Sequence, residues 1–268
     1  MFATADTLPD LSLFDESGRC LPKGLNAPAH ARSRRYFRLQ PPRLDMPNLH
    51  ARLRQHLGAG QGISTQDFCT RVDALRANLQ ADPHLAAITR GIGIPFILPR
   101  LEHPDVGTVL DKRYLPAIAS AFGQRFPDYR FTSHHTRPLA GLLGVLEGSR
   151  HERLIEASRE REVVGLYFPC LSEYSVPAAL EQVARLPDNF VLAGGYDTSA
   201  ALVACPELLL RTDGYPPLLW LSALAENGKP GIGYHYEAYG YNLTFNRRPH
   251  LGMAAEYWSH GLSVLETV

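Results

Sequence analysis

Cysteine is scarce in this sequence, and no two cysteines have a recognisable spacing. Four residues, Cys20, Cys69, Cys170 and Cys205, are spread over the chain without a C-x-x-C motif. This excludes a zinc ribbon and a thioredoxin-like redox pair. The opening residues carry no basic region followed by an apolar run, so we expect no secretory signal. We therefore predict free thiols in a cytoplasmic protein.

The sequence also lacks a charge excess and a long apolar run. Its 27 basic and 27 acidic side chains cancel, which removes the overall electrostatic attraction to nucleic acid or to an anionic membrane. No segment approaches the roughly 20 consecutive apolar residues of a membrane-spanning helix. We expect neither a nucleic-acid partner nor membrane insertion.

The common catalytic signatures are absent as well. There is no P-loop, no G-x-S-x-G, no H-E-x-x-H and no EF-hand loop. His151-Glu152 begins like a zinc-protease motif, but Ile155 stands where the second histidine is required. Motifs therefore identify no reaction and no cofactor.

The first 46 residues differ in pattern from the rest of the chain. They are rich in proline, show little periodicity and contain a basic cluster with aromatic neighbours: Arg32, Arg34, Arg35, Arg38, Tyr36 and Phe37. We expect residues 1–46 to form an extended N-terminal arm that lies across a single domain of residues 47–268. A phosphate contact by the cluster is the less favoured interpretation in an uncharged protein.

The rest of the chain alternates between helical and strand patterns. Ser64 to Asp67 has the form of a capping box, and Phe68, Val72, Leu75 and Leu79 form the apolar stripe of the helix that follows. Helices are predicted for residues 47–57, 65–79, 115–122, 150–162 and 176–186, and from Asp197, as N-cap, to Cys205. Strands are predicted for residues 92–98, 129–136, 163–168, 189–193, 217–223 and 231–245. The order predicts an α+β fold with a single mixed, largely antiparallel sheet, helices packed on it and a C-terminal β-hairpin.

The hairpin carries the most distinctive residues. Asn227-Gly228 and Pro230-Gly231 are turn dipeptides, and a tyrosine-rich strand follows them. Side chains alternate between the faces of a strand. Along residues 231–245, His235, Glu237, Tyr239 and Tyr241 therefore share one face, and Tyr234 and Tyr236 share the other. Gly240 is interpreted as a bulge or a close backbone approach.

These alternating residues supply the candidate site. His235 and Glu237, two residues apart on one face, are candidates for a base and its carboxylate partner. The ligand-binding candidates are Tyr234, Tyr236, Tyr239, Tyr241, His134 and His135. The same H-x-E spacing suits a metal ion completed by His250 or His260, so the metal content stays open. In the alternative interpretation, His235 and Glu237 face solvent or pair with each other, and the tyrosines pack the sheet.

Several short segments resemble a bacterial family that is known only as a domain of unknown function. They are the helix GISTQDFCTRVDALRANL, the strand GIGIPFIL, the strand and helix VVGLYFPCLSEYSVPAALEQV, the helix DTSAALVACPELL, and Leu-Trp-Leu-Ser with GKPGIGYHY. Together they cover most of residues 60–250. The resemblance implies one intracellular domain and assigns no residue a role.

Two functions from different classes follow from these patterns. In the first, the protein is an intracellular small-molecule binder or enzyme whose pocket lies on the tyrosine-rich strand 231–245, because tyrosine offers an apolar face and a hydroxyl group. In the alternative, it is a non-catalytic protein–protein interaction module that uses the same aromatic surface. A buried or a flat position of the strand distinguishes the two.

Overall fold

A computed structural model describes residues 12–266 of the chain. Its α-helices are α1 Met46–Arg52, α2 Thr65–Ala81, α3 Val106–Val109, α4 Leu115–Arg125, α5 His151–Glu160, α6 Val176–Val183 and α7 Gly195–Ala204. One π-helical turn, Leu53–Leu57, continues α1, another, Leu110–Tyr114, joins α3 to α4, and a 3₁₀ turn spans Ala86–Arg90. Among the described helices, none is both long and apolar enough to cross a membrane.

The strands form one large sheet and one small sheet. They are β1 Ile94–Leu98, β2 Phe131–Ser133, β3 Leu143–Val145, β4 Val163–Ser172, β5 Phe190–Leu192, β6 Leu218–Trp220, β7 Leu224–Glu226, β8 Ile232–Tyr239, β9 Asn242–Pro249 and β10 Trp258–Leu265. The large sheet has the order β1-β4-β10-β6-β8-β9-β2, with β5 paired to β10, while β3 pairs with β7. Among the strand pairs of residues 12–266, β10–β6 and β2–β9 are parallel and the others antiparallel. The predicted α+β fold with a mixed, largely antiparallel sheet is confirmed.

The centre of the sheet is β10, which the sequence analysis did not predict as a strand. It pairs with β4, β5 and β6, and all eight of its residues are buried. A side chain at Gly261 would collide with the ring of Tyr167, so glycine is required for this close approach. The glycine interrupts the period-2 pattern and coincides with a register shift between His260 and Leu262, which conceals the strand in the sequence.

Helix α2 follows from its sequence as expected. Its stripe of Phe68, Val72, Leu75 and Leu79 is buried in the main core. The Ser64 side chain accepts the backbone N–H of Asp67 at 3.0 Å, which is the bond of an N-cap. Local propensity and the burial of one face agree here, so both the position and the packing of the helix could be predicted.

Helix α7 lies in the core with every residue buried. It starts three residues earlier than predicted, because Gly194 and not Asp197 is the N-cap. The Asp197 carboxylate accepts the N–H groups of Gly194 at 2.9 Å and Thr198 at 3.0 Å and the hydroxyl of Ser263 at 2.6 Å. A buried charge is tolerated where several hydrogen bonds satisfy it, and this carboxylate also ties α7 to β10.

The predicted single strand over residues 231–245 is wrong, since it is two strands joined by a tight turn. Tyr239 pairs with Asn242 across a two-residue loop of Gly240 and Tyr241, and Gly240 has a φ of 61°. A glycine at the first loop position suits the primed turns that match the twist of a hairpin. The alternation of faces is therefore interrupted at residue 240, and Tyr241 does not continue the face of His235.

The predicted strand at residues 129–136 is also shorter than expected. Only Phe131–Ser133 form a strand, which pairs in parallel with β9. His134 and His135 therefore lie in the loop that leaves the sheet edge, and their side chains do not alternate across a sheet.

Before α1, the described part of the arm contains isolated bridges and neither helix nor strand. Phe14 pairs with Cys20 within the arm, Ala29 pairs with Tyr174 after β4, and Phe37 pairs with Tyr215 before β6. Residues 12–45 thus cross one end of the sheet and are attached there at several points.

Candidate functional site

The structure separates the tyrosines of the hairpin. Tyr234 and Tyr236 are fully buried in the main core, and the Tyr236 hydroxyl lies 2.7 Å from Ser199 Oγ. Burial raises the pKa of Tyr236, so its phenol stays protonated. Tyr239 is 77% exposed and Tyr241 is 41% exposed, both at the tip of the hairpin. The four residues do not line one pocket.

His235 and Glu237 do lie together, on the sheet face opposite the main core. The His235 ring is buried beside Trp220, with ring centroids 5.1 Å apart, and its Nε2 lies 3.4 Å from Glu237 Oε2. Burial lowers the pKa of His235, and the hydrogen bond from His235 is the main cause that lowers the pKa of Glu237. The pair therefore presents a half-exposed carboxylate to solvent and keeps its imidazole inside.

The histidines that were considered as further metal ligands have other partners. Both ring nitrogens of His260 are used, one with Ser222 Oγ at 2.5 Å and one with the Tyr174 carbonyl at 2.8 Å. His250 accepts the N–H of Gly252 and contacts the carbonyl of Pro230. Within residues 12–266, no three His, Cys, Asp or Glu side chains are placed to hold a metal ion. The His235–Glu237 pair is therefore not completed to a ligand set by these histidines.

His134 and His135 line a polar cavity of about 540 Å³ beside β9, which we call the histidine pocket. Its other lining residues are Thr136, Arg137, Leu142, Glu226, Lys229, Asn246 and Arg247. The His135 ring meets the Tyr234 ring edge-on at 5.6 Å, and burial lowers the pKa of His135. The buried Glu226 carboxylate bonds Lys229 at 2.8 Å and Arg247 at 2.7 Å, so the pocket's one acidic group is already paired.

A second cavity, of about 310 Å³, lies between the arm and the end of the sheet, and we call it the arginine pocket. Its cations are Arg19, Arg35, Arg38 and Arg90, and its hydroxyl groups come from Ser17, Ser33, Ser172 and Ser259. Apolar surface is contributed by Phe37, Ile92, Pro169 and Pro217. A mainly apolar lining with a few convergent polar groups is typical of small-molecule sites, and this volume is at the lower end of their range.

Arg19 is the most deeply placed of the four cations. It is 7% exposed, and it donates to the carbonyls of Ser172, at 3.2 and 3.1 Å, and His30, at 2.6 Å. Its guanidinium also lies 5.9 Å from the centre of the Tyr174 ring. No carboxylate of the described chain lies within ion-pair distance of it, and its Nη1 has no hydrogen bond there. Within residues 12–266, the partners of the Arg19 guanidinium are therefore two carbonyl groups and an aromatic ring, all of them neutral.

The other cations are only weakly compensated. Arg35 lies 3.6 Å from Asp15 and 3.8 Å from Glu16, distances of loose ion pairs. Arg38 donates to the carbonyl of Arg35 at 2.6 Å. Across residues 12–266, neither Arg38 nor Arg90 has an ion pair, and the Arg90 side chain has no hydrogen bond. Three of the four guanidinium groups therefore lack an acidic partner in the part of the chain that is described.

The Glu173 carboxylate is buried and fixes the part of the arm that forms one wall of the arginine pocket. Glu173 is 3% exposed, accepts the Ser33 hydroxyl at 2.6 Å and contacts His30 Nδ1 at 3.1 Å. Both Glu173 and Arg35 have a positive φ, 65° and 54°, which is costly for residues other than glycine. Such conformations persist only where surrounding contacts fix them, and they are common at binding sites.

The floor of the arginine pocket includes a thiol that is not an activated nucleophile. Cys170 is 7% exposed, and burial raises its pKa well above the ordinary value. Cys20, whose N–H bonds the Cys170 carbonyl at 2.9 Å, has its pKa raised to about 12 by burial. Both thiols are therefore neutral at physiological pH, and thiolate chemistry is disfavoured. All four cysteines are free in the structure.

Part of the arginine pocket is recognisable from the sequence. The arginines around Tyr36 and Phe37 form a visible cluster, but the absence of a net charge favours a solvated arm over a binding site. Arg19 and Arg90 come from separate segments with no pattern of their own, and only the folded arm brings them to Arg35 and Arg38. No protein-family model matches this chain, and neither does a curated protein or a solved structure. The resemblance to a family of unknown function therefore stays a prediction.

Proposed function

We propose that this protein binds a small anionic molecule in the arginine pocket. One observation carries the proposal: Arg19, Arg38 and Arg90 line one cavity, and none of the three has a carboxylate partner in the described chain. Arginine holds carboxylate and phosphate groups through paired N–H donors, and these bonds are about twice as strong as neutral ones. An anion in the cavity would compensate cations that the fold leaves unpaired.

The lining favours binding over a reaction. The described residues around the arginine pocket offer guanidinium, hydroxyl and apolar groups, and none of them is a histidine or a carboxylate. General acid–base catalysis needs a group that exchanges a proton near neutral pH. The Cys170 thiol does not do so, because its pKa is raised.

The proposal moves the site away from the strand on which the sequence placed it. The histidine pocket is the second candidate, because His134, His135, Asn246 and Arg247 meet there beside the hairpin. A protein–protein module on the hairpin has less support, since Tyr234 and Tyr236 are buried and, of the four tyrosines, Tyr239 and Tyr241 are the exposed pair.

Calorimetric titration with inorganic phosphate and with acetate tests the proposal, together with mass spectrometry of small molecules that copurify with the native protein. Arg90→Gln should weaken binding about tenfold or more, since a hydrogen bond to a charged group contributes about 1.5–3 kcal/mol. Arg90 is exposed and has no described side-chain partner, so the fold should be unaffected.

Two matched variants serve as controls. Arg43→Gln removes an exposed cation of the same arm outside both pockets, and Arg137→Gln removes a cation from the histidine pocket. Both should bind as the wild type does. Loss of binding in Arg137→Gln with none in Arg90→Gln would move the site to the histidine pocket, and equal loss in Arg43→Gln would indicate non-specific attraction.

A further inference from the structure

Three aromatic rings continue the arginine pocket onto the surface. Tyr36 and Tyr215 are stacked with ring centroids 6.2 Å apart, and they are 61% and 62% exposed. Phe37 lies edge-on to Tyr36 at 5.0 Å and 6.3 Å from Tyr215. We call these three rings the aromatic platform. Phe37 also lines the arginine pocket, so the platform adjoins the pocket at this ring.

The platform is held in place by the backbone. Phe37 and Tyr215 form a parallel bridge, and the N–H of Arg38 bonds the Tyr215 carbonyl at 3.3 Å. Arg211 donates to the Arg38 carbonyl at 2.8 Å from the other side. The rings are thus ordered before any ligand arrives, which lowers the entropic cost of stacking on them.

The exposure of the Tyr36 and Tyr215 rings is unusual for side chains that are held in fixed positions. Tyr36 and Tyr215 are among the most exposed large apolar side chains of the described chain, yet both are fixed by contacts instead of covering a core. Exposed aromatic faces beside arginines are the arrangement with which proteins hold a flat ring attached to an anion, because every aromatic ring offers a π-face for stacking.

We propose that the ligand of the arginine pocket carries an aromatic ring, with its anionic group among Arg19, Arg38 and Arg90 and its ring against Tyr36 or Tyr215. The chemical class is an aryl or nucleobase-bearing phosphate or carboxylate. This inference rests on the proposed function, because the arginines supply the anchor and the platform supplies the selectivity.

Two matched pairs of probes test it by calorimetry: phenyl phosphate against methyl phosphate, and benzoate against acetate. The members of a pair share the anionic group and differ in the ring. In at least one pair, the aromatic member should bind the wild type about tenfold more tightly, which is the gain expected from one stacked ring. In the double variant Tyr36→Leu and Tyr215→Leu, this advantage should disappear while the aliphatic member binds as before.

Tyr239→Leu is the matched control, since Tyr239 is a tyrosine at the hairpin tip, outside the arginine pocket, and is more exposed than either platform tyrosine. It should leave every affinity unchanged. Equal affinities within both pairs, or an advantage that survives in the double variant, would overturn the aromatic ligand and leave the anion site standing. If no probe of either pair binds, or if binding ignores Arg90→Gln, the proposed function fails as well.

Discussion

Replacing Glu173 with alanine should release the outer half of the arm without unfolding the domain. The Glu173 carboxylate is the shared acceptor of Ser33 and His30, and this half of the arm also carries Arg35 and Arg38 of the arginine pocket. Two hydrogen bonds to a charged acceptor contribute about 1.5–3 kcal/mol each. Because His30 is partly exposed and can bond water instead, we expect the low end of their sum, a loss of about 3 kcal/mol in the free energy of unfolding.

The backbone conformation of residue 173 gives an internal check on this magnitude. Its φ of 65° is costly for alanine and not for glycine. Glu173→Gly should therefore be about 1 kcal/mol more stable than Glu173→Ala, although both lack the same carboxylate. A reversed order would show that the turn has rearranged and that the conformation described here is not retained.

Urea unfolding measures the stability change, and hydrogen exchange read by mass spectrometry locates it. We expect faster exchange in residues 27–40 and unchanged exchange in β4 and β10. Asp188→Ala is the control, since this exposed carboxylate makes surface ion pairs with Arg150 and Arg153 that contribute at most about 1 kcal/mol. If Glu173→Ala lies within about 1 kcal/mol of the wild type and residues 27–40 exchange as before, the carboxylate does not hold the arm.

Three further outcomes follow from the structure. Gly240→Val should destabilise the β8–β9 hairpin by about 1–2 kcal/mol, because the φ of Gly240 is positive. Gly123→Ala is the control and should not destabilise the protein, because Gly123 is helical and has open space around it. Equal effects of the two substitutions would contradict the positive φ at residue 240. Burial lowers the pKa of His260 from 6.5 to about 4, so the unfolded chain takes up a proton before the folded protein does as the pH falls. The free energy of unfolding should therefore drop by about 2–3 kcal/mol between pH 7 and pH 4.5. In urea unfolding, His260→Asn should show a smaller drop over the same pH range. In the native protein an alkylating reagent should modify Cys69 first, since the other three thiols are buried, and all four should react after denaturation. Mass spectrometry follows the labelling. Modification of Cys20 or Cys170 as fast as Cys69 would contradict the burial of these thiols.

The parts of the fold that the sequence predicts are those in which local and tertiary preferences agree. The capping serine and the apolar stripe of α2 specify the same helix, and the turn dipeptide Asn227-Gly228 does separate two strands. The parts that it misses depend on distant neighbours. β10 contains Gly261 because the ring of Tyr167 occupies the space of a side chain, and a local pattern does not reveal that contact.

The candidate site depends even more on neighbours that are distant in the sequence. His235 and Glu237 were expected to face a ligand because they are polar and share one face, and they are adjacent as expected. What alternation could not supply is the neighbouring strand: Trp220 pairs with His235 from β6, and its ring packs against the His235 ring. The arginine pocket was not predictable from spacing, because Arg19, Arg38 and Arg90 belong to three separate segments whose contacts are made only when the arm folds.

The central position of β10 has a consequence for the folding of this chain during its synthesis. β4 and β6 each need β10 to complete a hydrogen-bonded edge, yet both leave the ribosome before it does. Until β10 docks, the nearly all-buried strand Val163–Ser172 has an apolar, unpaired edge, which is a template for association with other chains. During the interval between the synthesis of β4 and the docking of β10, this edge is therefore open to association with other chains, and slower translation would lengthen that interval.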